Sequence, residues 1–462
     1  MAYEGLMVSV SGVRGRVGAG LTPEIVAQFA AGFGAWARKR SGADSPTIVV
    51  GRDSRVSGPM FHRVVLSALQ SVGCNVMDVG MAPTPTIQLA VEHHHAAGGL
   101  AITASHNPIE WNALKFIGPS GLFLDGAEAA DMRSVVEGDI PRVTWDKLGT
   151  LSEDADAIKR HQDLILALPF IDVDGIRRRE YHVALDCVRG AGGAFMPSFL
   201  KRLGCRVSAI NLETDGRFPR SPEPIPENLG ELEELVRSSG ASIGFAVDPD
   251  VDRLALVSDE GKAIGEDYTL ALAARVVLRH REGGVVTNLS TSRIVDDIAR
   301  EQNRVVIRAP VGEVNVATRM RAEIAAIGGE GNGGVILTEL HLGRDAPVGA
   351  ALILQLLNEE GASLSSIVAR YPRYSIVKDK LPRPAGSLDA VYKSLRKAFP
   401  DAEADTQDGL RLSWPDRWVH VRPSGTEPIV RVIAEAPTEE EAQALITKCR
   451  APLDALPRSA SV

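Results

Sequence analysis

GGLAITASHNP, residues 98–108, is an apolar run that changes abruptly into a polar turn. The first five residues are typical of a short buried strand, and Pro108 biases Asn107 away from helical geometry. We therefore expect Ser105 and His106 on a tight turn at a strand end, where a substrate can reach the serine hydroxyl. A Ser-His-Asn-Pro turn by itself is more often an ordinary turn, so the interpretation depends on the rest of the chain.

A strand–helix–strand pattern occurs three times in the chain, once before this turn and twice after it, which predicts three related domains. The first strands of the copies lie at residues 47–55, 182–193 and 284–293, and the second strands at 73–80, 204–211 and 303–312. Continuous apolar strands that alternate with helices imply sheets covered on both faces. We predict three similar α/β sandwich domains with mixed, mostly parallel sheets, whose ligands gather at the carboxyl ends of strands.

The pattern changes after about residue 371. A helix over 388–399, strands over 410–414, 418–422 and 429–436, and an acidic helix from Thr438 predict a C-terminal α+β domain. Polar stretches at 139–154, 259–265 and 371–384 interrupt the repeats and suggest the domain borders. The predicted domains are residues 1–150, 151–256, 257–370 and 371–462.

The composition excludes several classes of protein. The chain has 462 residues, 44% of them hydrophobic and 24% charged, which suits several globular domains. Its net charge of −8, without a basic run, argues against a nucleic-acid partner. No apolar stretch approaches membrane-spanning length, and the four cysteines show no metal spacing. We expect a soluble cytoplasmic protein, a monomer or a homodimer, that binds neither nucleic acid nor membranes.

The stretch DPDVDR, residues 248–253, alternates three carboxylates. In an extended loop, Asp248, Asp250 and Asp252 point to one side, and hard oxygen ligands suit Mg²⁺ if a substrate or phosphoseryl oxygen joins them. An EF-hand loop also opens with D-x-D-x-D, but here its sixth position is Arg253 and its twelfth is Asp259. A solvated acidic turn is the remaining alternative.

Two further stretches offer donors for an anion. RPSGTEP, residues 422–428, contains Arg422, Ser424, Gly425 and Thr426, with Arg431 nearby, which is the inventory of a phosphate-binding nest. Near the N-terminus, Arg14 has glycines on both sides, and these let the backbone approach an anion closely. The alternative for each is a plain turn.

The glycine-rich stretch GGEGNGG, residues 328–334, presents one carboxylate and one amide. Glu330 and Asn332 can accept from and donate to neighbouring sugar hydroxyls, although a glycine-rich loop alone is weak support. Closer to the serine, Lys115 is expected at the same strand end, where it can steady charge or move a proton. Lys115 can equally be a solvated surface amine.

Together and in this order, these stretches resemble the α-D-phosphohexomutase superfamily across about the entire chain. The resemblance implies a heart-shaped molecule around a central cleft and a phosphorylated Ser105 that joins the three aspartates at Mg²⁺. It implies catalytic roles for Ser105, His106, Lys115 and Arg14, and substrate binding by Glu330, Asn332, Arg253, Arg422, Ser424, Gly425, Thr426 and Arg431. The stretch PEPIPENL, residues 222–229, also resembles the family's second-domain signature, but no chemistry is assigned to it.

The chain departs from the family pattern at three positions. In the family, the stretch that corresponds to residues 329–334 commonly has the form G-E-x-S-G-H, whereas this chain has Asn332 for the serine and Gly334 for the histidine. Any proton transfer by that histidine is therefore in doubt here. Pro249 also stands where relatives usually have glycine.

The resemblance implies that the protein interconverts hexose 6-phosphate and hexose 1-phosphate, with hexose 1,6-bisphosphate as activator and intermediate. Among the sugars, the sugar loop favours glucosamine phosphate. Mannose or glucose phosphate is the alternative, and a non-catalytic sugar-phosphate sensor is a remote one. The intact Ser105, Lys115 and aspartates speak against a sensor.

Overall fold

The computed structural model describes residues 5–10, 12–384, 386–424 and 429–454. The strands are β1 (Leu6–Ser9), β2 (Gly12–Arg16), β3 (Thr47–Arg52), β4 (Asn75–Met81), β5 (Gly98–Ile102), β6 (Trp111–Ile117), β7 (Leu151–Glu153), β8 (His182–Asp186), β9 (Arg206–Ile210), β10 (Ile243–Val247), β11 (Leu254–Val257), β12 (Val285–Asn288), β13 (Val306–Ala309), β14 (Ile327–Glu330), β15 (Gly334–Leu337), β16 (Ser375–Pro382), β17 (Glu403–Asp405), β18 (Leu410–Ser413), β19 (Trp418–Pro423) and β20 (Ile429–Ala436).

The helices are α1 (Pro23–Ser41), α2 (Gly58–Gln70), α3 (Thr84–His93), α4 (Gly126–Glu137), α5 (Ala157–Leu166), α6 (Val173–Arg179), α7 (Gly192–Arg202), α8 (Gly230–Ser239), α9 (Asp267–His280), α10 (Ile294–Glu301), α11 (Glu313–Glu323), α12 (Ala346–Glu360), α13 (Leu364–Val368), α14 (Asp389–Ala398) and α15 (Glu439–Asp454). Helix α1 shows how the sequence sets such bounds. Pro23 favours the first helical position, and Gly42 ends the helix with a left-handed φ of 68°.

The first sheet has the order β1-β2-β6-β5-β3-β4-β7. Strand β3 runs parallel to β4 and β5, and β4 runs parallel to β7, while the other three pairings are antiparallel. One core lies beneath α1, α2 and α4, and a smaller one lies beneath α3. Strand β7 extends this sheet past the predicted border at residue 150. That strand has three exposed residues, so its sequence carries no apolar signal.

The second and third sheets repeat one arrangement, with the orders β11-β10-β8-β9 and β13-β12-β14-β15. Each has parallel strands and one antiparallel edge, made by β11 and β15 respectively. Strand β11 runs to Val257, one residue past the predicted border at 256. A single continuous core includes side chains from both sheets and from helices α5, α7, α9 and α12. The predicted α/β repeats with mixed sheets are confirmed.

The fourth sheet, β16-β20-β19-β18-β17, is entirely antiparallel and has its own core with α14 and α15. This confirms the predicted α+β class of the C-terminal part. Strands β16 and β17 were not predicted, because β16 alternates with charged residues in a stretch interpreted as a border and β17 has three residues. We refer to the parts built on the four sheets as the first to fourth domains.

Three loops at the carboxyl ends of strands carry the candidate residues. The turn of residues 103–108 follows β5, the loop of residues 248–253 joins β10 to β11, and the stretch of residues 328–334 contains the turn between β14 and β15. We name them the serine turn, the aspartate loop and the sugar loop. Across the described ranges, no helix combines the length and the apolar character needed to cross a membrane.

Candidate active site

The serine turn holds Ser105 in an unusual conformation. Ser105 has a left-handed φ of 47° and is only 7% exposed. Its backbone N–H donates to Thr103 Oγ1 at 2.9 Å, and the Thr103 hydroxyl donates to Asp53 Oδ2 at 2.7 Å. A non-glycine residue in this region of φ and ψ needs surrounding contacts to hold it. The turn is therefore fixed by hydrogen bonds to the neighbouring strand end.

Arg55 is the main support of this turn, and no pattern in the sequence indicates its role. Its guanidinium is fully buried and donates to the backbone carbonyls of Ser105 and Asn107, each at 2.6 Å. It also donates to the carbonyls of Pro108 at 2.8 Å and Trp111 at 2.9 Å. The position of Arg55 just after β3, which pairs in parallel with β5, is the signal that could have indicated this role.

The aspartate loop brings its three carboxylates together, with ligand oxygens within 4.8 Å of one another. Asp248 Oδ1 accepts from the backbone N–H groups of Asp252 and Arg253, and its Oδ2 accepts from the Ser105 hydroxyl at 2.8 Å. Burial, followed by the charges of Asp252 and Asp250, raises the pKa of Asp248. The cluster thus concentrates negative charge beside the serine.

The other two aspartates each keep one oxygen unused. Asp250 Oδ2 accepts from Lys115 Nζ at 2.7 Å and from the Thr84 hydroxyl at 2.9 Å, and Asp252 Oδ2 accepts from Arg344 at 2.6 Å. Asp250 Oδ1 and Asp252 Oδ1 are buried and have no hydrogen-bond partner within the described part of the chain. Buried acceptors are rarely left unsatisfied. Two such oxygens beside the Ser105 hydroxyl fit a hard divalent cation such as Mg²⁺.

Lys115 joins the first and second domains at this point. Burial alone would lower the pKa of the Lys115 ammonium, but Asp250 and Asp252 outweigh this effect and raise it. The Lys115 side chain is therefore a cation held within the carboxylate cluster, and the solvated-surface alternative is wrong. On the other side of the serine turn, Arg14 donates to Asn107 Oδ1 at 3.3 Å.

Glu223 is a second residue whose role the sequence did not reveal, although it lies in the PEPIPENL stretch. Its carboxylate accepts from Arg253 Nη1 at 3.2 Å and lies 3.9 Å from His106 Nε2. His106 Nδ1 in turn lies 3.3 Å from Ser105 Oγ. Burial, followed by Arg253, lowers the pKa of His106 well below its usual value. Arg253 and His106 are thereby placed beside Ser105.

The sugar loop lies against the aspartate loop, and Glu330 is 5% exposed. Its Oε1 accepts from Asn288 at 2.9 Å and from the Gly312 N–H at 3.1 Å. Its Oε2 accepts from Arg344 at 3.0 Å and from Asn332 at 3.4 Å. The Glu330 carboxylate is already satisfied by protein donors, so any ligand hydroxyl would have to compete with them.

The fourth domain contributes Arg422 and Arg431, which are partners on the neighbouring strands β19 and β20. Arg422 Nε donates to Asp408 Oδ2 at 2.7 Å, and the same oxygen accepts from the Val311 N–H at 3.1 Å. This contact places Arg422 beside the segment that also bonds Glu330. Ser424 is buried, and its N–H donates to the carbonyl of Ile429 at 2.8 Å. Gly425 and Thr426 lie outside the described residues.

The structure thus brings Ser105, His106, Lys115 and Arg14 together with the aspartate loop, and it connects this group to the sugar loop through Arg344. A serine beside three carboxylates and several fixed cations is the equipment of an enzyme that transfers phosphoryl groups, because catalysis of that reaction is mainly positioning and charge stabilisation.

Comparison with known proteins agrees with this class. Models of the phosphoglucomutase/phosphomannomutase family match in order its α/β/α domains I (residues 6–139), II (159–261) and III (265–374) and its C-terminal domain (377–450). The chain belongs to this phosphohexomutase family and is a mutase by class.

Individual relatives extend over nearly the same length. A protein of Thermococcus kodakarensis named "Phosphoglucomutase/phosphomannomutase" is 40% identical over 95% of this chain and 96% of its own. One of Methanopyrus kandleri named "Probable phosphoglucosamine mutase" is 38% identical over 96% of each chain. The crystal structure of a phosphoglucomutase/phosphomannomutase family protein from Burkholderia thailandensis superposes with a TM-score of 0.84, at 25% identity and 97% coverage of both chains.

Proposed function

We propose that the enzyme interconverts hexose 6-phosphate and hexose 1-phosphate through a phosphoryl group carried by Ser105, with glucosamine phosphate as the preferred substrate. The observation that carries the proposal is the 2.8 Å hydrogen bond from Ser105 Oγ to Asp248, in a cluster that leaves two carboxylate oxygens unused. These residues meet only in the folded chain.

In the first half-reaction, the P–Oγ bond of phosphorylated Ser105 breaks as a new P–O bond forms to the free hydroxyl of the sugar phosphate, and the proton of that hydroxyl ends on Ser105 Oγ. In the second half-reaction, the other phosphate of the resulting bisphosphate returns to Ser105 Oγ. The proton that leaves Oγ then has His106 Nδ1 at 3.3 Å within reach. Lys115 and Arg14 add fixed positive charge near the transferring group.

Mg²⁺ would be held by Asp248, Asp250 and Asp252 together with an oxygen on Ser105. When bound, it supplies neutralising charge for the transferring phosphoryl group. Protein N–H and O–H groups donate to one oxygen of each aspartate and thereby fix the orientation of the three carboxylates.

The intermediate must turn over in the cleft, so a second phosphate site has to accept either end of the sugar. We assign this site to Arg422, Ser424 and Arg431 of the fourth domain, with Gly425 and Thr426 in the same loop. Two arginines on adjacent strands can fork onto one phosphate. The contact from Val311 to Asp408 keeps this site next to the sugar loop.

The sugar preference rests on the sugar loop. The two relatives described above carry different names at nearly equal identity, so glucose and mannose phosphates remain the alternative substrates. A protonated 2-amino group is attracted by the acidic cleft, whereas an N-acetyl group is neutral and larger. We expect glucosamine phosphate first in kcat/KM, then glucose and mannose phosphates, and N-acetylglucosamine phosphate last.

Peptide mass spectrometry tests the carrier directly. After incubation with hexose 1,6-bisphosphate, the peptide with Ser105 should gain about 80 Da, the mass of a phosphoryl group. Ser105→Ala should neither gain that mass nor turn over substrate. Stable phosphate on another residue, or full activity of Ser105→Ala, rejects the mechanism.

Coupled assays with the four sugar phosphates test the preference. Glu330→Ala should depress all of them together, because the loop loses the carboxylate on which its donors converge. An N-acetylated sugar as the best substrate would reject the proposed preference while leaving the mutase mechanism standing. If Glu330→Ala spares every substrate, the assigned role of the sugar loop is wrong.

A further inference from the structure

Arg344 lies outside every motif that the sequence indicates, yet it contacts two of them. The residue is 8% exposed, and each of its three guanidinium nitrogens donates to a different carboxylate. Nε donates to Glu313 Oε2 at 3.0 Å, Nη1 to Glu330 Oε2 at 3.0 Å, and Nη2 to Asp252 Oδ2 at 2.6 Å. One side chain therefore connects the sugar loop, the aspartate loop and the start of α11.

The base of this side chain is fixed as firmly as its end. The Arg344 N–H donates to Glu313 Oε1 at 3.2 Å. The next residue, Asp345, donates its N–H to the Val335 carbonyl at 2.8 Å and caps α12 by accepting from the Val348 N–H at 2.9 Å. A guanidinium anchored at both ends has little freedom, so it can impose a position on the groups it bonds.

The contact with Asp252 decides which oxygen of that carboxylate is available. Because Oδ2 accepts from Arg344, Oδ1 is the Asp252 oxygen that is left buried without a hydrogen bond among the described residues, 3.8 Å from Arg253 Nε. Lys115 and Thr84 act on Asp250 in the same manner. Removing a residue that hydrogen-bonds and orients a metal ligand commonly lowers metal affinity or activity by about 10–100-fold.

We propose that Arg344 is a positioning residue that aims Asp252 at the metal and holds the sugar loop against the aspartate loop. The proposal rests on the proposed Mg²⁺ site and adds to it the connection with Glu330. Arg344 can play this role because its planar guanidinium makes three directed hydrogen bonds. A lysine at the same position would supply the charge without them.

The space that Arg344 occupies also accounts for a glycine. A Cβ on Gly334 would lie 2.3 Å from Arg344 Cδ and 3.0 Å from its Cγ. The φ of Gly334 is outside the left-handed region, so glycine is required here for room and not for conformation. An imidazole at position 334, as in the common form of the loop, is incompatible with the Arg344 side chain in this position.

Gly334→Ala and Arg344→Lys are the first variants for a test. Arg344→Ala leaves three buried carboxylates without their shared cation, a change that by itself can unfold a protein. Gly334→Ala keeps the cation and displaces its stem, and its Cβ also lies 3.1 Å from Asn332 Oδ1. Gly230→Ala is the matched control, because a Cβ there meets nothing within 4 Å.

Titration calorimetry of the metal-free protein with Mg²⁺ gives a readout that does not depend on turnover. We expect Gly334→Ala and Arg344→Lys to raise the Mg²⁺ Kd by about tenfold and to lower kcat/KM by about tenfold or more. The melting temperature of Gly334→Ala should fall by a few degrees, because the added Cβ overpacks a buried side chain that is fixed at both ends. Gly230→Ala should behave as the wild type in all three measurements.

The double variant tests the contact itself. In soluble Arg344→Ala, adding Gly334→Ala should cost little further, because the arginine stem is gone. Guanidinium ion added to Arg344→Ala should restore part of the Mg²⁺ affinity.

If both Gly334→Ala and Arg344→Lys keep the wild-type Mg²⁺ Kd and kcat/KM, the inference is overturned. The same follows if the Gly334→Ala effect persists undiminished without Arg344. A wild-type protein that turns over sugar phosphate but binds no Mg²⁺ would overturn the proposed metal site and this inference together.

Discussion

At the scale of single residues, the site depends on side chains that act on the backbone as much as on those that face the substrate. Ser105 adopts a left-handed conformation that costs free energy, and Arg55 holds the turn through four carbonyl oxygens. The Arg55 guanidinium also lies 5.0 Å from the ring centroid of Phe218 in the second domain. The position of the nucleophile is thus tied to the contact between two domains.

Arg55→Lys is expected to misplace the nucleophile. Lysine keeps the charge beside Asp53 but cannot reproduce the hydrogen bonds to four carbonyls, so the serine turn is no longer held in one conformation. A displacement of about 1 Å costs on the order of 10² in rate. Steady-state kinetics should show this loss in kcat with little change in KM.

The control for this variant is Arg63→Lys, an exposed substitution on α2 of the same domain. It should leave kcat unchanged. A value of kcat for Arg55→Lys within about twofold of the wild type would contradict the role assigned to Arg55.

Asp250→Asn is expected to separate catalysis from stability. The variant loses a charged ligand oxygen, so turnover should fall on the order of 10²-fold. Burial would raise the pKa of Asp250, but Lys115 outweighs it and holds this pKa below its usual value, so the ionised carboxylate stabilises the fold and the metal-free variant should lose some stability. This loss should be much smaller than the loss of turnover, because Lys115 keeps Asp252 as a partner at 3.7 Å. Mg²⁺ titrations of activity and melting curves of the metal-free protein measure the two effects.

Asp174→Asn, at an exposed carboxylate on α6, is the matched control and should change neither quantity. Unchanged Mg²⁺ dependence in Asp250→Asn would show that the aspartate loop is not the metal site.

The sequence indicated Ser105 and the three aspartates because each lies within a short local pattern. Arg55 and Arg344 have no such pattern. Arg55 bonds a residue 50 positions away, and Arg344 bonds Asp252 across 92 positions. Their roles follow from pairings of strands and loops that only the fold creates. Glu223 lay in a recognised stretch, but its chemistry became visible only when Arg253 was found beside it.

At the scale of elements, strands with a clear apolar pattern were located from the sequence, because a buried face requires apolar residues at every position or at every second one. Strand β20 runs over Ile429–Ala436, as expected, and β18 and β19 differ from the prediction by one residue each. Edge strands β7, β16 and β17 were missed, since an edge strand can be short or charged without losing its hydrogen bonds. The sugar loop is also more constrained than its glycines suggest, because Arg344 packs against Gly334.

Asp125→Ala is expected to weaken a single element without affecting the site. Asp125 accepts from the N–H groups of Ala127 and Glu128, and Glu128 accepts in return from the Asp125 N–H at 3.1 Å. Losing this capping box costs about 1 kcal/mol. Thermal unfolding should shift down by about 2–4 °C, with kcat/KM unchanged.

Asp139→Ala, an exposed change just beyond the end of α4, serves as the comparison and should leave both properties unaltered. A loss of activity in Asp125→Ala at unchanged stability would mean that α4 influences the cleft.

At the scale of the whole molecule, the domains are joined in two different ways. The second and third share a continuous apolar core. The fourth has its own core and meets the third through polar contacts, among them Ser290 with His420, Arg293 with Glu435 and Lys378 with Glu266. Polar interfaces of this kind are compatible with relative domain motion. Such motion suits the proposed second phosphate site, which would have to accept both ends of the proposed bisphosphate intermediate.

The contact at His420 makes this attachment sensitive to pH. The ring is fully buried, and burial lowers the pKa of His420 to about 4. Its Nε2 lies 2.6 Å from the Asp408 carbonyl, so Nε2 carries the proton and Nδ1 accepts from the Ser290 hydroxyl at 2.8 Å. A histidine whose folded pKa is below its unfolded value of about 6.5 stabilises the fold at higher pH. That stability is lost as the pH falls from about 6.5 towards 4.

His420→Gln removes this titration. Relative to the variant, the wild type should lose on the order of 3 kcal/mol of unfolding free energy between pH 6.5 and pH 4. Hydrogen exchange of β19 peptides, measured across this range, reports on the fourth domain directly. Ser290→Ala is the matched comparison: it removes the donor to Nδ1 but keeps the titrating ring, so its pH dependence should follow that of the wild type. If His420→Gln and the wild type change in parallel with pH, His420 is not the group that makes the attachment of the fourth domain depend on pH.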